Sequence, residues 1–164
     1  MDFAHELSAL VKRDLATLAA HVQAFPSDEL LWQTVPAVTN SVGNLVLHLE
    51  GNLREYIGRQ LGGIAYARDR EQEFKKNGLG RDELLRRIED LGEKIPAVIA
   101  SLPPEQLAMP YPEAVLEREL TVHGMLVHLY GHLGWHMGQI DSLRRVLTEG
   151  EAVKRASLSR TRSS

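Results

Sequence analysis

Apolar residues recur three and four positions apart in four separate stretches of the chain, the period of one face of an α-helix. In the first stretch, residues 3–23, the stripe is Phe3, Leu7, Leu10, Val11, Leu15, Leu18 and Val22, and Pro26 with Ser27-Asp28 stops it. The second begins at Asn40-Ser41, both good helix caps. It carries Leu45, Leu49, Leu53 and Ile57 and ends at Gly62-Gly63. The third opens at Asp82 and runs through Leu84, Leu85, Ile88, Leu91, Ile95 and Ile99 to Pro103-Pro104. Pro96 inside it removes a backbone donor and predicts a kink or a short break. The fourth covers about residues 120–147, with Gly150 as its stop.

Between them, residues 25–39 hold two prolines and Trp32 and read as a loop, with a short helical turn at 28–32. Residues 65–80 are charged, contain Gly78 and Gly80, and are expected to be an exposed connection. Residues 103–118, with Pro110 and Pro112, form a second long connection. Four helices with two long connections predict an all-α four-helix bundle with at least one crossover. The expected layout is one domain over 1–150 and a flexible basic tail over 151–164.

Composition narrows the chemistry. Of 164 residues 43% are hydrophobic but only 5% aromatic, so leucine, valine, isoleucine and alanine must build the core, which favours helices. With no cysteine, disulfides, thiolate metal sites and a cysteine nucleophile are excluded. The net charge is -3, and four of the 19 basic residues (Lys154, Arg155, Arg160, Arg162) lie between Lys154 and the last residue, where there is no acid. The body is therefore acidic and a poor match for nucleic acid, whose phosphates supply most of the affinity in such complexes. No window approaches the ~18 apolar residues of a membrane span. The first turns carry Asp2, Glu6, Lys12, Arg13 and Asp14, unlike a secretory leader. A cytoplasmic protein is expected.

Three of the seven histidines, His128, His132 and His136, stand four apart in HLYGHLGWHMGQI. Helix positions four apart lie one above the other, so His132 and His136 can both reach one metal ion. No glutamate follows His132, which removes the general base of a zinc-protease motif. A third ligand must come from another helix, and the second helix offers His48 in the polar stripe Asn44, His48, Asn52 beside its leucines. Burying such a stripe without partners is costly, so it asks for a metal, a ligand or water. His128 lies a further turn back, and a helix drifts about 40° per four residues, so the preferred set is His48, His132 and His136. His128 then serves as a fourth ligand, a base or a rim residue. Three imidazoles suit Zn²⁺ or Ni²⁺, and also Fe²⁺ or Cu²⁺. Three protein ligands leave coordination open, the mark of a catalytic or ligand-binding site. Gln139 projects from a nearby face and is a candidate to hold a histidine's second nitrogen. Asn44 and Asn52 are candidates for substrate contact. His5, His21 and His123 read as surface or satisfied core residues.

At these residues the chain resembles a known family. His132-Leu-Gly-Trp-His136-Met-Gly138-Gln139-Ile140 is similar to the H-x-x-x-H-x-G-Q-I signature in the last helix of the DinB-like (YfiT-type) superfamily. NSVGNLVLHLEGN, residues 40–52, resembles its second-helix segment, and RDREQEF, residues 68–74, resembles the connection in one branch. The resemblance implies a four-helix bundle in up-down-down-up order, a divalent metal on His48, His132 and His136, and a homodimer. It also implies an enzyme, either a metal-dependent hydrolase or a transferase acting on a low-molecular-weight thiol such as bacillithiol or mycothiol. Two positions depart from the pattern: Leu133 where many members carry glutamate, and Met137 where many carry arginine. The alternative is a non-catalytic metal-binding stress-response protein. A di-iron site is set aside, because the chain has no Glu-x-x-His pair.

Overall fold

The computed structural model describes residues 2–114, 119–150 and 152–158, and these are helical with no strand among them. Helix α1 spans Phe3–Gln23, α2 Asp28–Leu31, α3 Val42–Leu53, α4 Arg70–Lys75, α5 Arg81–Ala100, α6 Pro104–Leu107 and α7 Val122–Thr148. A π-helical turn, Arg54–Arg59, continues α3. None of the described helices is long and apolar enough to cross a membrane.

Side-chain caps set four of the helix starts. Asp2 accepts from the backbone of His5, Asp69 from that of Gln72 and Thr121 from that of Gly124, and Ser41 forms a reciprocal capping box with Asn44. The expected stripes are the core: Leu7, Val11, Leu15, Leu18 and Val22 of α1, Leu45, Leu49 and Leu53 of α3, and Leu84, Ile88, Leu91, Ile95 and Ile99 of α5 are buried. Helix α1 packs chiefly on α5, while α3 touches α4, α5 and α7. On α7 the buried stripe is Met125, Leu126, Leu129, Leu133, Ile140 and Leu143. Every α3 residue is buried, so its polar stripe is enclosed together with its leucines.

Pro96 does not break α5, which is continuous from Arg81 to Ala100. Tertiary packing holds the helix through it: Pro96 is buried, and its carbonyl accepts from Ser8 Oγ at 2.7 Å. The connection over 65–80 is mostly exposed, but it contains α4, whose Glu73 is buried against α3. Of the connection over 103–118, residues 115–118 lie outside the described residues; Pro110 forms an isolated antiparallel bridge with Thr121.

Trp32, at the end of α2, ties that loop to α3 and to the connection before α5. Its ring lies on the face of α3 at Gly43, where an added Cβ would stand 2.6 Å from ring carbons. Its indole N–H donates to the Leu79 carbonyl at 2.9 Å. Gly43→Ala should therefore overpack this contact. Overpacking costs about 1–3 kcal/mol, and the gain in helix propensity returns at most about 1 kcal/mol. A lower urea midpoint is expected, and an unchanged midpoint would show that Trp32 can move away freely.

Of the basic tail, Glu151 and residues 159–164 lie outside the described residues. Within 152–158, Arg155 forms two hydrogen bonds, at 2.9 and 2.8 Å, to Asp14, a carboxylate only 1% exposed. Arg13 and the Tyr130 hydroxyl also donate to it, at 2.8 and 3.0 Å. Burial works to raise the Asp14 pKa, but the hydrogen bonds from Arg13, Arg155 and Tyr130 outweigh it and hold the group below the usual carboxylate range. A depressed folded-state pKa stabilises above the unfolded value and loses that contribution as pH falls through the folded one. Arg155→Ala should cost about 1 kcal/mol at pH 7, since Arg155 is largely exposed. The gap from wild type should narrow below about pH 4, read from urea midpoints at both pH values.

Candidate metal centre

The leucines of α3 and α7 decide where the histidines go. His48 sits between buried Leu47 and Leu49, and His132 and His136 directly precede buried Leu133 and Met137. One residue is about 100° of helix, so burying the apolar stripes turns the imidazoles into the seam between the two helices. His48 is buried, and His132 and His136 are half-buried.

There the three rings converge. One ring nitrogen from each lies within 4.8 Å of the others. His132 Nε2 is 3.2 Å from His48 Nε2 and 3.1 Å from His136 Nε2. Two imidazoles bound to one tetrahedral Zn²⁺ at about 2.0–2.1 Å would hold their nitrogens roughly 3.3 Å apart, close to these separations.

The outer nitrogens settle the tautomers. His48 Nδ1 lies 2.9 Å from Glu73 Oε2, and His136 Nδ1 lies 2.7 Å from Gln139 Oε1. A carboxylate and an amide oxygen only accept, so both Nδ1 atoms carry the proton and both Nε2 lone pairs face the centre. Burial works to raise the Glu73 pKa, but hydrogen bonds from His48 and Arg68 outweigh it, so Glu73 is ionised. His132 is pushed down to about 4, first by burial and then by the neighbouring His136 and His48. His136 is also lowered by burial, against the pull of Gln139. The centre thus brings Nε2 of His48 and of His136 to face Nε2 of His132. At most one proton, on His132, can be shared among them, and the charge chemistry fits a cation.

The other predicted residues are placed differently. His128 is half-buried, with its ring centroid 6.4 Å from that of His132, and it is not part of the converging group. Gln139 touches His136 as described. Asn44 is fully engaged elsewhere: its oxygen accepts from Ser41 Oγ at 2.6 Å, and its amide donates to the carbonyls of Glu73 and Lys76 at 3.1 and 2.9 Å. Asn52 is buried, and its Oδ1 has no hydrogen-bond partner among the described residues. Among the other histidines, His5 pairs with Asp2 and His123 lies edge-on to Phe3, while His21 is buried with Nδ1 3.7 Å from Asp141 Oδ1 and without a hydrogen bond.

Sequence reasoning missed Glu73. Two signals pointed to it: the RDREQEF segment that contains it, and Gly51, a glycine inside a helix one turn from His48, which marks a close approach. A Cβ there would lie 2.8 Å from Glu73 Cδ and closer still to Oε1.

Beside the centre lies an apolar groove of ≈ 810 Å³ whose walls include Val38, Leu45, Trp135, Gln139 and Val146. It does not contain the histidines, but Gln139 belongs to both.

Residues 6–149 match the protein family described as mycothiol-S-transferase. No curated protein matches the chain. The fold is similar to the crystal structure of a DinB-like protein from Bacillus subtilis, with a TM-score of 0.67 and 16% identity, covering 92% of this chain and 97% of that one. Metal analysis by mass spectrometry after loading with Zn²⁺ or Ni²⁺ should find about one ion per chain in wild type. It should find little in His48→Ala or His132→Ala. A full complement in either variant would remove that histidine from the site.

Proposed function

The chain belongs to the mycothiol-S-transferase family of DinB-like proteins, and on that premise we propose that it transfers a low-molecular-weight thiol to an electrophile at a metal site formed by His48, His132 and His136. The observation that carries the reading is the pair of inward-facing Nε2 lone pairs, fixed by acceptors on both Nδ1–H groups. When bound, a divalent ion would supply a Lewis acid that favours the deprotonated thiol at neutral pH. Zn²⁺ or Ni²⁺ is the proposed ion.

The protein's own groups do the rest. His132, neutral well below pH 7, offers its lone pair with little competition from protons. Gln139 orients His136 from the wall of the groove, so an apolar acceptor lying along Trp135 and Val38 would reach the centre from that side. In the reaction the sulfur forms a bond to carbon, and the leaving group departs with its bonding pair. The thiol proton passes to solvent or to His128, one helical turn from His132. His48, His132 and His136 would hold the ion with His128 apart from them, and three protein ligands would leave room for the thiol, which favours transfer over a purely structural ion.

The same proposal takes the four long helices in up-down-down-up order and the protein as a cytoplasmic homodimer. Hydrolysis at the same centre is the neighbouring reaction, with water in place of the thiol.

The test pairs the metal-loaded protein with mycothiol, bacillithiol, glutathione or coenzyme A and an electrophile such as a bromobimane or a chlorodinitroarene. Thiol-dependent turnover is expected, falling at least ~100-fold in His132→Ala, in line with losses at metal sites. A folded, metal-loaded wild type inert to every thiol and to water would leave a non-catalytic metal-binding protein.

A further inference from the structure

The connection between α3 and α5 brings Glu73 and Phe74 against His48, and Arg68 against Glu73. Glu73 is the one buried residue of α4. Both its oxygens are occupied: Oε1 accepts from Arg68 Nε at 2.7 Å, and Oε2 accepts from His48 Nδ1 at 2.9 Å and Arg68 Nη2 at 3.0 Å. The Arg68 guanidinium in turn lies 5.5 Å from the centroid of the Tyr56 ring, on the π-helical turn. The Phe74 ring lies 5.1 Å from that of His48. Asn44 grips the backbone of the same helix at Glu73 and Lys76.

Helix α3 is shaped to receive the carboxylate. Gly51 leaves a seat that any Cβ would fill, and it lies beside both Glu73 and Arg68 Nε, which would be 3.3 Å from that Cβ. A buried ion pair is seldom the cheapest way to fasten a loop, since desolvation offsets much of its attraction and apolar packing does the task as well. What apolar packing cannot do is hold the outer N–H of His48.

Resting on the metal reading above, we propose that Glu73 is a positioning residue for the three-histidine centre. Seated over Gly51 and clamped by Arg68, it fixes the His48 tautomer and ring so that ion binding and docking of the 64–80 connection stabilise each other. An ion on Nε2 draws density from the imidazole and makes Nδ1–H a stronger donor, and the carboxylate offsets the added charge. The linkage is reciprocal: whatever the docked connection adds to ion affinity, the ion adds to docking.

Two readouts test this without any enzymatic assay. One is Zn²⁺ affinity, by competition with a chromophoric chelator. The other is the rate of tryptic cleavage after the exposed Lys75 and Lys76, with and without Zn²⁺. In wild type the ion should slow that cleavage. Glu73→Ala should weaken Zn²⁺ binding about 10–100-fold and abolish the protection. Gly51→Ala, which keeps the carboxylate but fills its seat, should act in the same direction. Glu73→Gln, which keeps an acceptor, should lose less. If Glu73→Ala melts early, the Gln and Gly51 variants carry the test. In a His48→Ala background, removing Glu73 should cause no further loss of residual affinity, because its action runs through that ring. Wild-type affinity in Glu73→Ala overturns the proposal, as does an equal loss with and without His48. A wild type that binds no Zn²⁺ or Ni²⁺ overturns the metal reading and this inference together. One that binds normally while Glu73 proves irrelevant overturns this inference alone.

Discussion

Three imidazole Nε2 atoms, two of them within 3.2 Å of the third, need a proton or a cation between them, and the rest of the structure is arranged around that need. The seam between α3 and α7 withholds water, which keeps His132 neutral and makes its lone pair available. The protons that two of the rings do carry are drawn outward, to Glu73 and to Gln139. The outer acceptors keep those two protons off the inner nitrogens, and one of the acceptors is a full negative charge, which offsets part of what a divalent ion would bring.

That charge comes from the connection between α3 and α5. The positions after His132 and before Gly138 hold Leu133 and Met137, both buried, so α7 itself brings no charge to those places. The carboxylate near the centre arrives from the connection, on a helix of six residues. Its guanidinium partner, Arg68, comes from the same connection. Charge has thus been placed on a mostly exposed segment, and its position is secured by Gly51, Asn44 and Tyr56.

Much of the frame was legible along the chain. The i, i+4 spacing of His132 and His136 commits both to one face whatever the tertiary context, because helical periodicity is local. The leucines of α3 and α7 then imply that this face borders the core. Asn44 and Asn52 were readable as enclosed polar residues, since they share the stripe of His48. Their work was not: Asn44 caps α3 and holds the backbone of α4, partners that lie 29 and 32 residues away. Pro96 shows the converse. The local rule that proline interrupts a helix lost to burial and to a hydrogen bond from Ser8, 88 residues distant.

By itself, then, the sequence determined the helices, the stripes that pack them, and the pair of histidines on α7, because these follow from periodicity, capping and apolar burial within a few turns. The tertiary structure alone decided which nitrogen of His48 bears its proton, that Glu73 leaves an otherwise exposed connection to sit against that ring, and that His128 stays outside the converging group. Those outcomes depend on distances between segments 25 and more residues apart, and on a few ångströms of space above Gly51. Neither leaves a periodic trace in the chain.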